Sequence, residues 1–221
     1  MSLRLLYLIM IRVFGWLSLL GRRTPQSPEL ATTGAPSLWN TYPALDSVDD
    51  AVAKVEAAGG QVAIAPFDVT DAVRMAFVLD PSGAAVAFWQ ADLHIGASLV
   101  NEPGTITWNE LITTEPSAAA FYEQVLGLAT SVMDMGSGEY TLFEAAGQEV
   151  GGTVAPQMPG VPNHWHVHFD VANADASVAK VTERRGSILA EPFDTPVGRT
   201  AVVGDPQGAA FSIIQPAGQT A

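Results

Sequence analysis

Residues Ser37–Ala91 read SLWNTYPALDSVDDAVAKVEAAGGQVAIAPFDVTDAVRMAFVLDPSGAAVAFWQA, and residues His164–Ala217 read HWHVHFDVANADASVAKVTERRGSILAEPFDTPVGRTAVVGDPQGAAFSIIQPA. The two stretches are copies of one unit. Trp39 matches Trp165, and Val52-Ala53-Lys54-Val55 matches Val178-Ala179-Lys180-Val181. Gly60 matches Gly186, and Pro66-Phe67-Asp68 matches Pro192-Phe193-Asp194. After a gap of one residue, Arg74 matches Arg199, and Asp80-Pro81-x-Gly83-Ala84-Ala85 matches Asp205-Pro206-x-Gly208-Ala209-Ala210. A self-similar segment of this length is one supersecondary unit repeated.

Each copy has the same physical plan. Alternating residues predict a strand at Trp39–Leu45 and at Trp165–Val171. A helix follows from about Val48 or Ala174 and ends at Gly60 or Gly186, glycine being the residue that ends helices without strain. A short strand then leads to Pro-Phe-Asp, and two more strands flank Asp-Pro-x-Gly. Asp suits the first position of a type I turn, Pro fixes φ at the second, and Gly suits the fourth. The unit is βαβββ. The middle of the chain follows the plan again. Thr105–Ile112 reads as a strand, with Thr114 as N-cap and Glu115 and Pro116 in the first helical turn. Ala118–Val125 reads as the helix, ended by Gly127. Tyr140–Phe143 and Glu149–Val154 read as strands around a turn at Ala146-Gly147.

Composition bounds the function classes. The chain has 221 residues, 48% hydrophobic and 15% charged, enough to bury a sizeable core. Lys and Arg number 10 against 23 Asp and Glu, a net charge of -13, which argues against a nucleic-acid partner. With Cys 0, disulfides, thiolate metal ligands and a Cys nucleophile are excluded, and a reducing, cytoplasmic setting is expected. Residues 1–36 differ from the rest: Arg4, Arg12, Arg22 and Arg23 stand against Glu29 alone. Their Leu3–Leu20 stretch is apolar but broken by Arg4 and Arg12. It reads first as a hydrophobic segment packed on the rest of the chain, second as a membrane contact of residues 1–20, and third as a signal peptide or span. Arg22–Pro36 reads as a linker. The expected organisation is a segment at 1–36, one βαβββ unit at 37–92, a linker at 93–104, a complete two-unit domain at 105–217 and a tail at 218–221.

The string Ala120-Phe121-Tyr122-Glu123-Gln124-Val125-Leu126-Gly127-Leu128 resembles the first-helix signature of the vicinal oxygen chelate superfamily of glyoxalases, bleomycin-resistance proteins and extradiol dioxygenases. The Asp-Pro-x-Gly hairpin, Gly104–Leu111, Pro192-Phe193-Asp194 and Gly198-Arg199 are similar to tandem actinobacterial members. The resemblance covers about 37–217. It implies an α+β fold in which two βαβββ units form an open eight-stranded sheet around a cleft, here at 105–217. It also implies that 37–92 is an orphan unit whose partner is missing or replaced by residues 1–36.

The same resemblance implies where a metal would sit: a His or Gln on the first strand of each unit and a Glu on the last. Those positions fall on Trp108, His166 and Ser212, with Asn40 and Ala87 in the orphan unit. The fourth falls in the hairpin that carries Glu144 and Glu149. An indole and a hydroxyl do not replace imidazole and carboxylate on a divalent ion. No cofactor is therefore expected, with a divalent metal as the alternative. The alternative draws on His164, His166 and His168, which alternate along one strand and so share a face, about 6.5–7 Å apart at Cα. His166, His168 and Glu110 form the conceivable ligand set.

Glu110 and Arg199 are the charges whose strand positions suggest burial. They are expected either to pair with each other or to act on a ligand, Glu110 exchanging a proton and Arg199 receiving an oxygen. Trp108 offers a flat aromatic platform. His94 reads as a surface or packing residue, and Asp46, Asp49 and Asp50 as a solvated helix start. Gly59-Gly60 and Gly151-Gly152 lack phosphate-loop spacing and read as closing a helix and a strand turn. Ser212 has no base to activate it.

The first functional expectation is a glyoxalase-like protein that binds a small organic molecule. Its site is Glu110 and His166 with Trp108, His168, Arg199 and Ser212. The second is a metal-dependent lyase or dioxygenase with a rearranged His/Glu site. The third is a non-catalytic module forming a homodimer through the orphan unit, whose sheet edge invites pairing.

Overall fold

The computed structural model describes residues 37–135 and 138–218. The expectations for residues 1–36 lie outside the described residues. Among the described residues no helix is long and apolar enough to cross a membrane.

Helix α1 (Val48–Val55) opens on Ser47, whose hydroxyl accepts from Asp50 N at 3.1 Å. Asp49 and Asp50 fall in its first turn and Lys54 in its last, which suits the helix dipole. Strands β1 (Gln61–Val69), β2 (Val73–Leu79) and β3 (Ala85–Ala91) form a three-stranded antiparallel sheet in that order. The strand expected at Trp39–Leu45 is not formed. That segment makes one bridge, Ala44 to Trp89, with flanking backbone bonds such as Ala87 N to the Thr41 carbonyl. Pro43 has no N–H to give, so a regular ladder cannot run through it. Pro-Phe-Asp does not follow a short strand either. It lies inside β1, where a register shift between Ile64 and Phe67 accommodates Pro66.

The second sheet has eight strands: β4 (Ile106–Ile112), β5 (Ala129–Asp134), β6 (Glu139–Ala145), β7 (Gln148–Val154), β8 (His164–Asp170), β9 (Ser187–Thr195), β10 (Gly198–Gly204) and β11 (Ala210–Pro216). Its order is β5-β6-β7-β4-β8-β11-β10-β9, open at both ends. The parallel pairs are β4 with β7, in register at Glu110 and Gly152, and β11 with β8, in register at Ser212 and His168. Helix α2 (Ser117–Leu126) follows β4, and α3 (Ala174–Glu183) follows β8. Thr114 is not the cap of α2. The helix starts from Pro116, and the Glu115 carboxylate accepts from the Ser117 hydroxyl at 2.8 Å and from the Ser117 N–H at 3.1 Å, which lowers the Glu115 pKa. Gly127, at φ 72, ends α2 as expected. Both Asp-Pro-x-Gly turns close as read: Gly83 N donates to the Asp80 carbonyl and Gly208 N to that of Asp205, each at 2.9 Å.

The chain falls into two compact units. One holds Thr41–Val100 with Ile106–Val167; among the described residues the other holds 37–40, Asn101–Thr105 and 168–218. In the first, Val48, Ala51 and Val55 of α1 meet Phe121, Tyr122 and Val125 of α2 in one core. Gly60 permits this approach, because a Cβ there would lie 2.6 Å from the Phe121 ring. In the second unit Ala201, Val203 and Ile213 are buried beneath Val178 and Val181 of α3. Asn173 caps α3, accepting from Ala176 N at 2.8 Å.

Candidate functional site

Leu111 and Phe143 point into the core of the first unit, and Trp165 packs against it. Strand alternation therefore sends Trp108, Glu110, His164 and His166 to the opposite face. There the Trp108 indole N–H donates to the Tyr140 hydroxyl at 2.8 Å. That hydroxyl in turn hydrogen-bonds the Glu110 carboxylate. A phenol has one proton to give and can accept in return, so both capacities are used. Burial, then the charge of Glu110, raises the Tyr140 pKa, and Glu149 adds to it. Tyr140 stays protonated and holds Glu110 as a hydrogen-bond donor would.

Tyr140 sits on β6 and reaches β4 across β7. Gly152 makes this geometry accessible, since any Cβ there would collide with the Tyr140 ring. Gly151 and Gly152 thus lie inside β7, not at a strand turn. Sequence reading missed Tyr140. The adjacent glycines in a strand were the available signal, because glycine inside a strand marks a close approach.

His166 is 9% exposed and packs edge-to-face on His164, ring centroids 5.6 Å apart. In the second unit His168 is half-buried and stands in register with buried Ser212. Arg199 belongs to the second unit. It grips Asp175 of α3 with two bonds, at 2.8 and 2.9 Å, and Asp194 of β9 at 3.0 Å. The expected Glu110–Arg199 pair is not formed, and Arg199 clamps a helix start to a strand. Arg74 does the same in the other copy, holding Asp49 at 2.7 and 2.9 Å and Asp68 at 2.8 Å. Each guanidinium lowers the pKa of its helix-start partner, Asp49 or Asp175.

The remaining candidates have local roles. Glu144 accepts from the Ser131 hydroxyl at 2.9 Å. His94 packs edge-on against Trp89 and takes the Gly96 N–H on Nδ1. Ala87 is fully buried in β3. Among the described residues no group of three or more His, Cys, Asp or Glu side chains converges to hold a metal ion. The indole at position 108 offers a proton and no lone pair, and its N–H is spent on Tyr140. Position 108 therefore offers no ligand to a metal ion.

The comparisons with known proteins agree on the family. Residues 14–88 and 113–213 match the profile of the Glyoxalase/Bleomycin resistance protein/Dioxygenase superfamily. A Mycobacterium tuberculosis protein named "Putative glyoxylase CFP32" is 55% identical over 195 residues, 87% of this chain and 75% of that protein. The "Anthracycline biosynthesis protein DnrV" of Streptomyces peucetius is 38% identical over 193 residues, 86% of this chain and 70% of that one. Among solved structures, the 2,2',3-trihydroxybiphenyl 1,2-dioxygenase of Sphingomonas wittichii RW1 superposes with TM-score 0.56 at 14% identity, covering 82% of this chain and 72% of that one. The Mn(II)-bound glyoxalase of Novosphingobium aromaticivorans gives 0.55 at 20%, covering 81% and 65%. At such identities the structural likeness concerns the fold alone. The chain belongs to the glyoxalase, bleomycin-resistance protein and dioxygenase superfamily.

Proposed function

We propose that this protein binds a small, flat organic molecule on the face that carries Trp108, Glu110, Tyr140 and His166, without the family's metal. The observation that carries the reading is the bond from the Trp108 indole N–H to Tyr140, whose hydroxyl serves Glu110. It joins an aromatic wall, a carboxylate and a phenol into one array, which supports the reading. Glu110 and His166 are the groups able to exchange a proton with a bound molecule.

The charge of the array narrows the ligand class. Its named charged members are Glu110 and, near Tyr140, Glu149. Like charges facing each other across an interface are unfavourable, so a neutral or cationic ligand suits it better than a carboxylate or phosphate. The name of the Streptomyces peucetius relative supports a polycyclic aromatic, since anthracyclines are planar fused-ring molecules. A cytoplasmic setting belongs to the same reading, which the cysteine-free composition suits.

Native mass spectrometry of the purified full chain, combined with elemental analysis, tests the proposal. A co-purified organic mass without stoichiometric Zn, Ni, Mn or Fe supports it. A stoichiometric divalent ion that disappears in His166→Ala overturns it in favour of a metal-dependent lyase or dioxygenase.

A further inference from the structure

The 37–92 repeat contacts residues on the elements that carry the site. Asp80 is 3% exposed and has two carboxylate oxygens with different tasks. Oδ1 closes its own turn, accepting from Ser82 N at 2.8 Å and Ala84 N at 3.1 Å. The matching Asp205 uses Oδ1 in the same way, on Gln207 N and Ala209 N. The turn is thus made with one oxygen. Asp80 Oδ2 takes a further bond at 2.8 Å from the hydroxyl of fully buried Tyr122 on α2. That hydroxyl accepts in turn from the Trp165 indole N–H, also at 2.8 Å. Trp165 lies between His164 and His166 on β8.

Two other contacts converge on the same strands. Asn163, immediately before β8, donates from Nδ2 to the Ser82 carbonyl at 2.8 Å. The Thr41 hydroxyl lies 3.5 Å from Asn109 Oδ1, and Asn109, 6% exposed, sits between Trp108 and Glu110 on β4. Trp165 and Asn109 each lie between residues of the site's face, and Asn163 directly precedes His164. All of them lie within one compact unit, around the core shared by α1 and α2.

We propose that the 37–92 repeat is a positioning element for the Trp108–His166 site, with Asp80 as its positioning residue acting through Tyr122 and Trp165. The repeat has lost the regular first strand of its own plan and serves as a brace for β4 and β8. A buried bond of this kind sets side-chain direction as well as stability, because an unpaired buried donor is costly and drives local rearrangement. The inference rests on the site proposed above, but its test can be read without any ligand.

The test is the indole N–H spectrum of the full chain labelled with 15N-tryptophan. Tyr122→Phe breaks the link from Asp80 to Trp165, and Asn163→Ala removes the separate Ser82 contact. The expected result is a displaced or broadened Trp108 indole resonance in both variants, although neither substitution touches Trp108 or Tyr140. An unchanged Trp108 resonance in the folded variants overturns the proposal. If Tyr122→Phe fails to fold, Asn163→Ala decides by the same criterion. Dialysis of the wild-type chain against 1,4-dihydroxyanthraquinone separates the two ideas. Absence of binding there contradicts the site, and the Trp108 resonance still judges the brace.

Discussion

Tyr140 on β6 stands over Gly152 on β7 and meets Trp108 on β4, its hydroxyl 2.8 Å from the indole nitrogen. One phenol therefore ties three strands together on the face opposite the core. Tyr140→Phe removes both of its hydrogen bonds and leaves the Trp108 N–H without this acceptor. The expected cost is about 1–3 kcal/mol, the usual range for a buried polar group left unpaired. A lowered urea midpoint with an unchanged slope is the result that checks it.

Gly152→Ala places a methyl against the Tyr140 ring. Overpacking of this kind costs about 1–3 kcal/mol. Because the clash involves one partner, the penalty shrinks in a Tyr140→Ala background, and a double-mutant cycle reads the difference. Equal penalties in both backgrounds contradict the described ring position.

Burial raises the pKa values of Tyr42, Tyr122 and Tyr140. For a phenol that is neutral when protonated, a raised folded value means stability present below the unfolded pKa of about 10 and lost as pH rises beyond it. In an alkaline titration followed at the phenolate absorbance, these three tyrosines ionise only as the chain unfolds. Early, reversible ionisation of three tyrosines near the ordinary value contradicts the buried placement.

Asp175 and Asp49 have folded pKa values lowered by Arg199 and Arg74. A lowered carboxylate contributes stability above its unfolded value, about 3.9, and loses it as pH falls through the folded one. Arg199→Ala therefore lowers Tm at pH 7, and the gap to wild type narrows below about pH 4. The carboxylates are exposed, so the effect is small and falls with added salt. A gap that is constant down to acid pH contradicts the clamp.

The repeat, the helix end at Gly127, the helix start at Ala174 and both Asp-Pro-x-Gly turns were legible because each depends on a few neighbouring residues. The strand at Trp39–Leu45 was misread because alternation outweighed Pro43 in the reading, while the missing N–H decides the structure. Strand β5 (Ala129–Asp134) was not singled out; it is an edge strand with little burial and so carries a weak alternation.

Arg199 was assigned to the site from its strand position. Its carboxylate partners were legible too: Asp49 and Asp68 recur as Asp175 and Asp194, so the duplicated arginine carries its own carboxylates with it. Trp108 and Glu110 were legible as a pair because two residues apart on a strand share a face. Tyr140 was not, since its partnership skips a strand and is visible only when β6, β7 and β4 are laid side by side.

Equilibrium dialysis of the EDTA-treated full chain against 1,4-dihydroxyanthraquinone, read by the absorbance of the dye, tests the binding site most directly. The account predicts saturable binding of one equivalent without added metal, weakened at least about tenfold, or about 1.4 kcal/mol, in Glu110→Gln and in Tyr140→Phe. Binding that requires a divalent cation, or that both variants leave unchanged, contradicts it.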